Sequence, residues 1–189
     1  MRNSIMFIFL FLMGCTAFEP LIYKKEAYNG QNLKINGYYY IFKEKEEGRT
    51  LNSTKYNTFF LYKNGIYYDS NGLSSFTFNI SRLDSLDLLV KKNVINLGKY
   101  EQLQYQWGVF KVKGTEIEIE RWVTSSGGGA YPTRIIKGEI LNDSTIHFHT
   151  LVGSHPVNVG SKKKTITIDE TYHFRQFSPK PDSTNKFIK

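Results

Sequence analysis

His147 and His149 in "TIHFHT" stand two residues apart, a spacing that turns both imidazoles to one face of a β-strand and could set them on a zinc ion. They alternate with Ile146 and Phe148, which read as the core side, and no carboxylate or cysteine is interleaved with them, so the pair reads as two solvent-facing histidines and no metal is expected. His155 precedes a proline in a loop, and His173 falls on the outward side of the last strand. No serine lies in a Gly-x-Ser-x-Gly elbow, and "SGGGA" lacks the lysine and helix of a phosphate loop. Glu116, Glu118 and Glu120 share a strand face opposite Ile117 and Ile119 and read as exterior charge, while the neighbours Asp169 and Glu170 point to opposite faces. No catalytic residue is assigned. Two polar residues break this outward pattern. Unbroken alternation through Ile166, Ile168, Glu170, Tyr172 and Phe174 turns Glu170 inward, and Ile117, Ile119, Arg121 and Val123 do the same for Arg121. Interior charges need partners, so the two would form an ion pair or a polar handle for a ligand, unless both lie at a rim or a bulge turns Glu170 outward.

The lone cysteine raises a separate question. "MRNSIMFIFLFLMGC" offers a positive start at Arg2, an apolar run from Ile5 to Met13 and a small residue, Gly14, in the order of a secretory signal. The run is shorter than the roughly 20 apolar residues that span a bilayer. "LMGC" resembles the bacterial lipoprotein signal, with Leu12 at the apolar position, Gly14 at the small one and Cys15 as the lipidated residue. The resemblance implies cleavage before Cys15, acyl chains such as palmitate on it, and attachment of the chain to a membrane of the bacterial envelope. Thr16 in place of an aspartate points to the outer membrane. An ordinary signal peptide, or a buried N-terminal segment that contains a cysteine, is the alternative. With no second cysteine an internal disulfide is excluded.

Removing residues 1–14 from the 189 leaves 175, within the size of one domain, and takes the net charge from +8 to +7. The lysines behind that charge are scattered, apart from "SKKK" at Ser161–Lys164, and the aromatics fall in strand-like runs, a pattern that gives no support to nucleic-acid binding.

The elements that must position these residues are mainly strands. Residues 16–32 read as a tether. "LKINGYYYIF" is the first strand, the charged "KEKEEGRTLNS" a loop, and Asn64-Gly65 joins residues 59–63 to 66–69 as a hairpin, because both residues tolerate positive φ. Phe76, Phe78 and Ile80 alternate with polar residues as a further strand. Over residues 82–96 the period changes: Leu83, Leu86, Leu89, Val90 and Val94 share one side of an amphipathic helix, with Ser81 and Asp84 spaced as a capping box and Gly98 as its stop. Strands resume in "YQWGVFKVKGTEIEIERWV", in a hairpin around Asn142–Ser144, and in "TITIDETYHFRQF", before a proline-bearing tail at 178–189. The expected core holds Phe76, Phe78, Ile117, Ile119, Ile146, Phe148 and Phe174.

Eight to nine strands in hairpin succession predict an antiparallel meander closing into a barrel, with one inserted helix; a β-sandwich is the alternative. Across residues 33–177 this layout resembles the small exported lipocalin-like β-barrel lipoproteins of the Bacteroidetes type, with Gly37 and Tyr39 standing in the Gly-x-Trp slot of the first strand, although the helix interrupts the strands instead of following them. The resemblance implies a membrane-anchored envelope lipoprotein that binds a small amphipathic or hydrophobic molecule. Its cavity would be lined by Tyr38, Tyr40, Trp107, Arg121, Glu170 and Tyr172, with no cofactor. A lipoprotein that contacts another envelope protein without a ligand cavity, and a hydrolase, are the alternatives.

Overall fold

The computed structural model describes residues 17–43, 55–70, 83–97, 103–124, 130–153 and 163–189. In chain order the elements are β1 (Ala17–Phe18), β2 (Gly37–Lys43), β3 (Lys55–Leu61), β4 (Ile66–Asp69), α1 (Leu83–Leu97), a 3-10 turn (Gln104–Gln106), β5 (Trp107–Lys113), β6 (Glu116–Trp122), β7 (Ala130–Tyr131), β8 (Thr133–Asn142), β9 (Thr145–Gly153) and β10 (Lys164–Gln176). Eight of these strands form a closed antiparallel barrel in the order β10-β2-β3-β4-β5-β6-β8-β9, so the meander reading holds and the sandwich does not. Closure comes from β10, which pairs with β2 on one side (Phe174 opposite Tyr39) and with β9 on the other, leaving no free edge. β1 and β7 form a separate parallel pair. Both expected hairpins are present. Gly65, at φ +81°, lets Tyr62 and Ile66 pair across the first turn, and Asn142 Oδ1 accepts from the Ser144 amide in the second.

The strands β2 to β5 bury apolar side chains on both of their faces. Inside the barrel, Tyr39, Phe59, Leu61, Phe110, Ile117 and Phe148 belong to one packed cluster, with Phe174 half-buried against it. Outside, Tyr38, Phe60, Tyr68, Trp107 and Trp122 form a second cluster, covered by Leu86 and Val90 of α1. The helix therefore lies on the outer wall. A polar clamp holds it there: Arg175 donates to both carboxylate oxygens of Asp87, at 2.8 and 2.5 Å, and to Asp84 at 3.0 Å, while the Tyr38 hydroxyl donates to Asp87 at 2.6 Å. Burial works against the Asp87 charge, but the Arg175 and Tyr38 donors outweigh it and hold the carboxyl below its ordinary range. Leu83, expected on the buried stripe, is 37% exposed: it is the first residue of α1, at the end of the stripe that Leu86 and Val90 continue against the wall. Phe76, Phe78, Ser81 and Gly98 lie outside the described residues, as does the side chain of Val94.

Residues 19–35 are docked onto the barrel where the sequence suggested a tether. Along β6, Trp122 Nε1 donates to the Glu19 carbonyl at 2.7 Å, and Tyr23 donates its amide to Glu120 and its hydroxyl to Glu118, each at 2.7 Å. Farther on, the chain closes one end of the barrel. Tyr28 and Leu33 join the interior cluster, the Tyr28 amide bonds the Lys63 carbonyl, the Lys34 amide bonds the Asp143 carbonyl, and Asn32 bonds the Gly114 carbonyl. These contacts tie the lead-in to all three tight turns at that end. The C-terminal segment is held too. Lys180 donates to the carbonyls of Ile35 and Leu61, its ammonium 4.2 Å from the Tyr62 ring centre, and burial brings its pKa down to about 8.

Candidate functional site

At the end of the barrel away from the lead-in, the interior packing gives way to a cavity of about 240 Å³. Phe59, Tyr67, Phe148 and Tyr172 supply aromatic wall, Ile119, Ile136, Leu151 and Ile168 supply aliphatic wall, and Asn57, Thr58, Asp69, Arg121, Arg134 and Glu170 supply polar groups.

The strand register sets the polar groups in place. One transverse row runs Tyr67, Gly108, Arg121, Arg134, Gly153 across β4, β5, β6, β8 and β9. Each arginine has a glycine as its outer neighbour in the row. A Cβ at Gly108 would stand 2.7 Å from Arg121 Cβ, and one at Gly153 would stand 2.7 Å from Arg134 Cγ, so the two glycines make room for the arginine stems. Two guanidiniums directly opposite one another on neighbouring strands repel. For Arg121 that repulsion is offset by a 2.6 Å ion pair with Asp69, at 24% and 17% side-chain exposure, and by the Tyr67 ring, whose centre is 6.0 Å from its guanidinium. Burial disfavours the Arg121 charge, but the fields of Tyr67, Asp69, Tyr172 and Glu170 prevail and its pKa rises. Its Nε is buried with no partner among the described residues. Glu170 accepts a bond from the Tyr172 hydroxyl at 3.1 Å. Burial, together with Glu170, keeps that phenol protonated, and Tyr67 is pushed up by burial and Asp69. Arg134 moves the other way: burial first, then repulsion from Arg121, lowers its pKa.

Of the residues expected to line a cavity, Arg121, Glu170 and Tyr172 converge here, and Glu170 faces the cavity despite a register irregularity between Thr167 and Glu170. Ile166, placed inward by simple alternation, lies beyond that irregularity and is 53% exposed. Tyr38, Tyr40 and Trp107 are corrected: they belong to the outer cluster, where Tyr38 and Trp107 are buried and Tyr40 packs partly against it. An aromatic residue on a strand is equally content inside a barrel or beneath a docked helix, and Tyr39 is the tyrosine of β2 that points inward. Asp69, Arg134 and Tyr67 were missed. Arg134 carried a usable signal, since it alternates with Ile136, whereas Asp69 reads in "YYDSNG" as a turn residue.

The glutamate row is on the outer face as expected, but Glu120 is fully buried beneath the docked lead-in. Glu118 is opposed by burial, yet hydrogen bonds from Lys137, Tyr23 and Lys111 bring its carboxyl down to about 2. His147 and His149 lie side by side on the outer face, ring centres 6.4 Å apart, His147 against Thr171 and Asp169 and His149 against Thr150. No group of three or more histidine, cysteine or acidic residues able to hold a metal occurs among the described residues. His173 is exposed beside Tyr40, and Cys15 and His155 lie outside the described residues. The described helix is not long and apolar enough to cross a membrane. The site thus offers cationic forks and an apolar wall, an arrangement that can seat and orient a small molecule. No family model, curated protein or solved structure matches the chain.

Proposed function

We propose that this chain is a lipoprotein of the bacterial envelope, held to the outer membrane by acylated Cys15, and that its barrel binds a small amphipathic or hydrophobic molecule. The observation that carries the binding half is the cavity, where an aromatic and aliphatic wall meets a polar row inside the barrel. Ligand sites combine these features, mostly apolar lining with a few placed polar groups. The volume of about 240 Å³ falls below the roughly 300–1,000 Å³ of drug-sized sites, which favours a ligand of about eight to ten heavy atoms and disfavours one as large as haem. "LMGC" carries the anchoring half. Several acyl chains are needed for stable attachment, since each buried methylene contributes about 0.8 kcal/mol.

Two measurements test the two halves separately. Mass spectrometry of the mature N-terminus should find acylated Cys15, and Cys15→Ser should release the protein from the membrane fraction; retention of the variant would remove the anchor. Calorimetric titration of the full chain with eight-carbon amphiphiles should give saturable binding at one site. Tryptophan emission is a poor reporter, because Trp107 and Trp122 both sit on the outer wall. Absence of saturable heat with every eight-carbon amphiphile would refute the binding half.

A further inference from the structure

Resting on the binding role above, we propose that the ligand is a monocarboxylate with a short apolar tail, and that Arg134 is the residue that receives its carboxylate, with Arg121 alongside.

The two arginines of the transverse row are unequally paired. Arg121 has Asp69 at 2.6 Å. Arg134, directly opposite it on β8, makes no hydrogen bond or ion pair to any described residue, although it lines the same cavity and is only partly exposed. A half-buried guanidinium that faces a second guanidinium, with no ion-pair partner among the described residues, is costly until an anion reaches it. The chain nevertheless makes room for it, because Gly153 leaves open the space that Arg134 Cγ occupies. The depressed pKa of Arg134 has these same two causes, burial and Arg121, and an incoming anion relieves both. Arg121 adds a buried Nε–H that has no acceptor among the described residues.

The class of anion follows from geometry and charge. A planar guanidinium fork matches the two oxygens of a carboxylate in a bidentate pair. The lining holds as many carboxylates, Asp69 and Glu170, as arginines, so one added negative charge meets less repulsion than the two of a phosphate monoester would. Behind the row, Phe148, Ile136, Leu151 and Ile168 provide the apolar surface for a tail.

The test is titration of the full chain at neutral pH with octanoate, 1-octanol and octyl phosphate, which share a tail and differ in the head. Octanoate should bind at least tenfold more tightly than either of the others. Arg134→Gln should abolish that preference, and Arg134→Lys, which keeps the charge without the fork, should retain only part of it. The comparison of the three ligands on the unaltered protein decides the matter even where Arg134→Gln fails to fold. Octanol binding as tightly as octanoate would overturn the carboxylate assignment and leave the binding role standing. Octyl phosphate binding more tightly would overturn the monoanion. Preference retained in a folded Arg134→Gln would remove Arg134. Binding of none of the three would take the binding role and this inference down together.

Discussion

Asp69→Asn is the substitution that probes the polar row most directly, because it removes a charge and almost no volume. The structure supplies the magnitude. Breaking a fully buried ion pair costs about 3–5 kcal/mol, and an exposed one is worth about 0–1 kcal/mol. Arg121 and Asp69, at 24% and 17% side-chain exposure with a 2.6 Å contact, fall between these limits. A loss of about 2–3 kcal/mol is expected, since the variant leaves Arg121 facing Arg134 with Glu170 as the remaining carboxylate of the lining. For a domain of this size that is a drop in Tm of roughly 4–12 °C. The same change makes the cavity net positive, so an anion should stabilise the variant more than the parent, by mass action on the folded state. Thermal melts followed by circular dichroism, with and without octanoate, measure both effects. A variant that melts within about 1 °C of the parent would show that the pair contributes nothing net, and octanoate shifts equal in the two proteins would show that Asp69 does not set the charge of the cavity.

Two further outcomes concern the packing around the barrel. Asp87→Asn should weaken the clamp on α1 by about 2 kcal/mol, in the range for hydrogen bonds to charged groups, and speed amide exchange across residues 83–97 roughly 30-fold, with the barrel strands little changed. Unchanged exchange there would mean that Leu86 and Val90 alone hold the helix. Glu118 titrates at about 2 in the folded chain against about 4.3 unfolded, so its stabilisation is complete above the unfolded value and is lost as pH falls through the folded one. At about 1.4 kcal/mol per unit this amounts to roughly 2–3 kcal/mol, and Glu118→Gln should flatten the stability curve between about pH 5 and 2 by that amount. Parallel curves for the two proteins would rule out Glu118 as the source.

The barrel was legible because its signals are local. Asn64-Gly65 and Asn142–Ser144 mark turns by backbone chemistry, and polar residues alternating through "EIEIER" and "TIHFHT" identify the inner face by period alone. Period fails where both faces are apolar. In "GYYYIF" and "YNTFFLYKNGIYYD" the aromatics occupy inward and outward positions alike, since the outer positions of β2 to β5 are covered by α1 and the C-terminal segment. Nothing within those runs separates Tyr39 from Tyr38, and the cavity residues were misassigned there. The lead-in escaped detection for the opposite reason. Tyr23, Tyr28 and Asn32 dock through individual hydrogen bonds to distant partners, which leave no repeat in the sequence.

At the site, legibility followed the same division. Arg121 and Glu170 stood out because each is one polar residue in an otherwise apolar alternation. Asp69 closes a strand of four residues, too short to establish a period, and next to "SNG" it reads as turn chemistry. Arg134 is the second residue of β8, two residues after Pro132, where the alternation has only begun. The property that matters most, an arginine with a second arginine opposite and a glycine on its other side, does not reside in any one segment. It arises from the register of β6 on β8 and of β8 on β9, which brings together residues 121, 134 and 153. A slip of one residue in either pairing would turn the side chain outward and dissolve the row. The unequal pairing of the two arginines is therefore encoded by register. It persists because the isoleucines beside the row, Ile119 and Ile136, fix that register by their own burial.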